Sequence, residues 1–145
     1  MYVYLLIGLT FLADRLSKGW AATFLAENGT TRLNRLITVR ETYNQGLAFG
    51  FLQGVGKLTG WLSLLILVAL LLYLRQLPRT AWLLRTGFAL IIGGALGNLV
   101  DRITVGKVLD FLDTPLQLGV FNVADVAINV GLLLCLAGIF VQERL

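Results

Sequence analysis

Two carboxylic acids in this chain stand where acid-base chemistry could be done. Asp110 lies in Val108-Leu109-Asp110-Phe111 and Asp125 in Phe121-Asn122-Val123-Ala124-Asp125. Brought together at a wet membrane edge, two carboxyls can share one proton, leaving one as base and the other as acid, which is the chemistry of an aspartic protease. Asp125 also has a plain structural reading. Asn122 is a good N-cap, which makes Asp125 the third helical residue, an acid placed where the helix dipole favours it. The chain has no histidine, one cysteine (Cys135) and two serines, Ser17 and Ser63. Ser-His and Cys-His catalysis, a His-ligated metal and an intrachain disulfide are thereby excluded. Ser17 adjoins Lys18, but neighbours on a helix point about 100° apart, a poor setting for a Ser-Lys nucleophile. Cys135, set among leucines, reads as a small apolar packing residue.

The other ionisable residues gather around the same membrane edge. Asp14 and Lys18 stand at i and i+4 with the acid first, the favourable order for a helical ion pair. That pair either lessens the cost of its own burial or positions substrate and active-site groups. The stretch Gly93-Gly94-Ala95-Leu96-Gly97-Asn98-Leu99-Val100-Asp101-Arg102 places Gly93 and Gly97 in a small-xxx-small face for close helix packing. Asn98, Asp101 and Arg102 fall on neighbouring positions of that helix, either as a structural polar cluster or, for Arg102, as a partner for a carbonyl or a lipid head group. Charged groups at such depth are costly in hydrocarbon and tend to mark function.

The elements that position these residues follow from composition. Of 145 residues 57% are hydrophobic and 14% charged, with a mean hydropathy of +0.82, so lipid is the expected solvent. The formal charge of +4 is too small and too interleaved with apolar runs for a nucleic-acid footprint. Apolar runs mark four membrane spans at about residues 2–25, 58–74, 82–101 and 123–142, in a single integral membrane domain covering residues 1–145. The first must carry Asp14, Arg15 and Lys18 in its second half, because its apolar start from Tyr2 to Ala13 is too short to span. It has no basic start of the kind a cleaved signal peptide carries, and reads as a retained span. The outer segment, about residues 26–57, holds Arg35 to Tyr43, rich in β-branched and aromatic residues and punctuated by Gly46, Gly50, Gly54 and Gly56, and predicts a small sheet-like platform. Phe49 and Phe51 are loop core or membrane-dipping contacts. Ile103 to Val120 is a second outer connection. Trp20, Trp61 and Trp82, near span ends, fit interfacial anchoring. Arg75, Arg79 and Arg85 make the connection between spans two and three the densest basic loop, which favours it and both termini as cytoplasmic.

Together these motifs resemble the signal peptidase II family, the lipoprotein signal peptidases, which are intramembrane aspartyl proteases of bacteria. The residues that carry the resemblance are Asp14-x-x-Ser17-Lys18, Asn44-x-Gly46-x-Ala48-Phe49-Gly50, Gly93-Gly94-Ala95-x-Gly97-Asn98-x-x-Asp101-Arg102, Val108-x-Asp110-Phe111 and Phe121-Asn122-x-Ala124-Asp125, in family order over nearly the whole chain. The fold class expected is an all-α membrane protein, and the resemblance implies four transmembrane helices with a small extracytoplasmic β-cradle and a short outer helix. It implies a diacylglyceryl-prolipoprotein substrate, cut on the N-terminal side of the lipidated cysteine in the bacterial inner membrane, with the site toward the extracytoplasmic face and no metal or cofactor. Asp110 and Asp125 match the catalytic pair. Asp14, Asn44, Asn98 and Arg102 match residues that hold substrate or organise the site, and Asp101 matches a structural partner. Lys18, Gly46 and Asn122 belong to the same motifs and join the substrate-binding or site-organising set. Arg15 stands where many members have Gln, and the loop between the two aspartates is rather short. Membrane lipids are the other expected partners, and a monomer is expected. The readings from other classes are a small proton or ion conduit and a non-catalytic membrane subunit. A conduit would distribute acids along its depth, whereas the central parts of spans two to four carry none.

Overall fold

The computed structural model describes residues 1–46, 56–115 and 119–142. In chain order the elements are α1 (Tyr2–Asn28), β1 (Thr31–Arg32), β2 (Thr38–Asn44), α2 (Gly56–Gln76), α3 (Trp82–Thr104), β3 (Val108–Asp113) and α4 (Val123–Gln142). Among the described residues, three helical stretches are long and apolar enough to cross a membrane, Leu58–Gln76, Trp82–Thr104 and Val123–Val141. The remaining helix, α1, is long enough but carries charge, and its surface explains how. Residues Val3, Ile7, Thr10, Asp14, Lys18 and Ala21 form one buried stripe at helical spacing, while Leu5, Leu9, Leu12, Leu16 and Trp20 form an exposed apolar stripe beside it. Asp14 and Lys18 are thus turned inward, and an apolar row faces outward.

Helix α3 is the hub and packs against each of the other three helices. Small residues make that possible. A Cβ on Gly94 would stand 2.5 Å from the Ala124 carbonyl oxygen of α4, and one on Gly93 would stand 2.6 Å from Thr10 Cβ of α1. The small-residue face therefore seats two partners, α1 against Gly93 and Gly97 and α4 against Gly94. A core of Val3, Ile7, Leu67, Leu74, Ala89, Ile92 and Leu99 joins α1, α2 and α3. At the other end of α2, Pro78 stops the helical run, and Arg85 donates to the Leu77 carbonyl at 2.7 Å.

The sheet has the order β1-β2-β3, antiparallel throughout. It corrects the expectation that Ile103 to Val120 is only a connection: α3 runs on to Thr104, Gly106 turns the chain at φ 79°, and β3 then pairs with β2. Asp110 sits on this strand opposite Thr42, and Asn44 opposite Val108. One extra residue of β2 between Val39 and Thr42 shifts the register, a bulge next to the site. Phe121 adds a further bridge to Leu112, which ties the entry of α4 to the strand that carries Asp110. The far face of the sheet packs Val39 and Phe111 on Ala21 of α1, with Trp20 edge-on to Phe111 at 6.4 Å. No short outer helix stands between α1 and α2 among the described residues, and Phe49 and Phe51 lie outside them.

Candidate active site

The polar residues singled out by sequence converge where α1, α3 and α4 meet β3. Asn122 is central. Its side-chain oxygen accepts from the Asp125 backbone N–H at 3.0 Å, and Asp125 Oδ2 accepts from the Asn122 backbone N–H at 3.2 Å, a reciprocal cap on α4. The structural reading of Asp125 thus holds, yet it occupies only one of that residue's oxygens. Asp125 Oδ1 accepts from Asn98 Nδ2 at 3.0 Å. Asn122 Nδ2 donates to Asp110 Oδ1 at 2.6 Å, so one residue touches both acids, Asp110 through its side chain and the Asp125 carboxylate through its backbone N–H. The Asn44 side chain hydrogen-bonds Asp110 from the β2 side and also accepts from the Gly46 N–H at 2.9 Å.

Asp110 is 3% exposed. Burial, followed by the charge of Asp125, pushes its carboxyl up to about 7, against opposing effects from Asn122, Lys18 and Asn44. A carboxyl so placed holds a proton near neutral pH, as one member of an acid-base pair must. Both acids open onto a cleft of about 220 Å³. Its polar end carries Asn44, Asn98, Arg102, Asp110 and Asp125, and its wall carries Ile66, Leu70, Ile91, Ala95 and Ile128. Ser63 also lines it and donates to the Thr59 carbonyl at 2.7 Å. These wall residues were missed in the sequence because they belong to ordinary apolar helix faces. Only the packing of α2 and α4 on α3 turns them toward one space.

Asp14, Lys18 and Asp101 do not line the cleft; they form its foundation. Lys18 Nζ reaches Asp14 Oδ2 at 2.9 Å, Asp101 Oδ2 at 2.7 Å and Asn98 Oδ1 at 2.9 Å, and Arg15 pairs with the other oxygen of Asp101. Asp14 Oδ1 accepts from the Ala124 N–H at 3.0 Å, in the first turn of α4. This acid therefore meets the orphan amides of a helix N-terminus while its other oxygen meets Lys18. Arg102, 8% exposed, donates from Nη2 to the Gly46 carbonyl at 2.8 Å, which holds the end of β2 over α3. Ser17 donates to the Asp14 carbonyl at 2.9 Å, and Cys135 lies against Gly87 and Leu84, well away from these groups.

The sequence and the fold can be set beside known proteins on this geometry. Residues 6–141 match the family model described as signal peptidase (SPase) II. The chain belongs to the signal peptidase II family. Among its relatives, a lipoprotein signal peptidase of Shewanella loihica is 38% identical over 97% of this chain and 87% of the relative. One of Shewanella pealeana is 39% identical over the same shares. The fold resembles two solved bacterial membrane enzymes, one with a TM-score of 0.85 at 23% identity over 98% of this chain and 89% of that one. The other has a TM-score of 0.83 at 25% identity over 95% and 92%. In this signal peptidase II family member, Asn44, Asn98, Arg102, Asp110 and Asp125 of the quoted motifs line the cleft and Asp14, Lys18 and Asp101 lie beneath it, while Ala48, Phe49 and Gly50 lie outside the described residues.

Proposed function

We propose that this chain is an aspartic endopeptidase that removes the signal peptide from diacylglyceryl-modified prolipoproteins, cutting on the N-terminal side of the lipidated cysteine with Asp110 and Asp125 as its catalytic pair. The observation that carries this reading is the convergence of the two carboxyls on one cleft, linked through Asn122. One carboxylate takes a proton from a water that attacks the scissile carbonyl while the protonated partner hydrogen-bonds the carbonyl oxygen. The pair then protonates the leaving amine. The proton belongs to the pair as a whole until substrate binds. Arg102 and Asn44, at the polar end of the cleft, face the substrate backbone, and the apolar wall faces its lipid and signal helix.

In this reading the chain is a single four-span domain of the bacterial inner membrane, acting as a monomer, with the cleft toward the extracytoplasmic face. The inward charged stripe of α1 and its outward leucine row support a fourth span, since the ionisable groups are paired inside the bundle. The experiment is cleavage of a purified diacylglyceryl-preprotein by the purified protein in detergent, beside Asp110→Asn and Asp125→Asn. The wild type should release the signal peptide, and each variant should bind substrate without cutting it. Near-normal turnover by either variant sinks the dyad.

A further inference from the structure

Lys18 is buried below the cleft, touches neither member of the acid pair directly, and has its ammonium ion-paired with Asp14 and Asp101 and hydrogen-bonded to Asn98. Two of these contacts neutralise charge. The third does something else. Asn98 Oδ1 accepts both from Lys18 Nζ at 2.9 Å and from Asn122 Nδ2 at 3.2 Å, while Asn98 Nδ2 donates to Asp125 Oδ1. Were this amide turned over, its NH₂ would face an ammonium and a second NH₂, and its oxygen would face a carboxylate. Every one of those contacts is repulsive, and the donors would be left buried without acceptors.

We propose that Lys18 is a positioning residue for the acid pair: through its bond to Asn98 it fixes which way both asparagine amides point, and its charge helps set how tightly the pair holds its shared proton. The chain of bonds runs from Lys18 to Asn98, and from there to Asp125 directly and to Asp110 through Asn122. The Asn98 orientation presents a donor to Asp125. Asn122, its own oxygen committed to the cap of α4, then presents its NH₂ to Asp110. The charged groups around Lys18 are Asp14 and Arg15 of α1, Asp101 and Arg102 of α3, Asp110 of β3 and Asp125 of α4. The inference rests on the proposed dyad and deepens it.

The test separates orientation from charge. Lys18→Met keeps the length without the donor, and Lys18→Gln keeps a donor for Asn98 without the charge. Lys18→Met should lower kcat about 100-fold with little change in KM, the scale of a misplaced catalytic group. In both variants the alkaline limb of the pH-rate profile should move upward by about one pH unit, because a cation that favours the ionised acids has gone. Lys18→Gln should recover a large part of kcat while keeping the shifted limb. Because Lys18→Met leaves Asp14 buried without its counter-ion, the double variant Asp14→Asn/Lys18→Met supplies a neutral version, in which the substituted amide oxygen can still accept from the Ala124 N–H. It should fold and show the same loss of kcat. Wild-type kcat in the neutral double variant, or an unshifted limb in Lys18→Gln, overturns the inference. A wild-type enzyme that does not cut the lipidated preprotein overturns the proposed function instead, and the two failures are read from different samples.

Discussion

At the residue scale, the role proposed for Asp110 would tie activity and stability to the same proton. With the dyad as proposed, cleavage should fall as pH rises past about 7, where the acid member of the pair loses its proton. A pH-rate profile in which activity is undiminished well above that value would contradict it. Stability follows the opposite assignment of cost. The carboxyl rises from 3.8 to about 7 on folding, so between those values the native state binds more protons than the unfolded one, and the wild type loses stability as pH rises through that window. Asp110→Asn removes the cost while keeping an acceptor for Asn122. Its advantage over the wild type in thermal denaturation should be small near pH 4, grow toward pH 7 and level off at a few kcal/mol above it. A variant less stable than the wild type at pH 8 counts against the buried, uncompensated acid.

At the scale of elements, the site depends on how closely α3 approaches its neighbours. A Cβ on Gly97 would stand 2.7 Å from Asp14 Cγ, and Asp14 cannot swing aside without releasing Ala124 N–H and Lys18. One on Gly94 would press on the backbone of Ala124, one residue before Asp125. Gly94→Ala and Gly97→Ala should each destabilise by about 1–3 kcal/mol, the usual cost of overpacking. Both should also lower kcat more than binding, since each displaces the first turn of α4 or the base beneath it. Gly8→Ala on α1 has open space around its Cβ and is the control, with wild-type melting and turnover. If all three variants behave alike, close approach is not what places the acids.

At the scale of the whole molecule, the membrane decides which contacts matter. The proposed four spans would place Met1 and Arg79 on one side and Asn34 on the other. In a Cys135→Ser background, single cysteines at Asn34 and Arg79 should label from opposite faces, and a tag at Met1 should be protected together with Arg79. A Met1 tag accessible from the Asn34 side would mean that α1 does not cross. Substrate lipid should act through the same geometry. Under the proposed function, the diacylglyceryl chains would contribute roughly 0.8 kcal/mol per buried CH₂ and would hold the cysteine at the depth of the two acids. An unlipidated preprotein should therefore show weaker binding and a slower single-turnover rate at saturating enzyme. Equal affinity and equal rate for the two forms would remove lipid recognition from the proposal.

Local chemistry made much of this molecule legible in advance. The three apolar helices follow from run length and hydropathy, the strand at Thr38–Asn44 from β-branched composition, and the cap between Asn122 and Asp125 from a spacing of three residues. These are short-range properties, set by residue type and helical or strand period. What tertiary structure alone decided are meetings between distant residues. Lys18 reaches Asn98 across 80 positions and Asp14 caps Ala124 across 110. The ion pair read within α1 is present and is also a junction of three elements, since it reaches Asp101 of α3 and Ala124 of α4. Asp110 stands on a strand that its own sequence did not announce, because β3 gains its hydrogen bonds from β2 and Phe121 rather than from any local pattern. The apolar side of the cleft was hidden for the same reason: Ile66, Leu70, Ile91 and Ile128 are ordinary hydrocarbon until α2 and α4 pack on α3 and turn them toward the two acids. Residue type determines what a group can do, and only packing over the whole chain determines which groups it does it with.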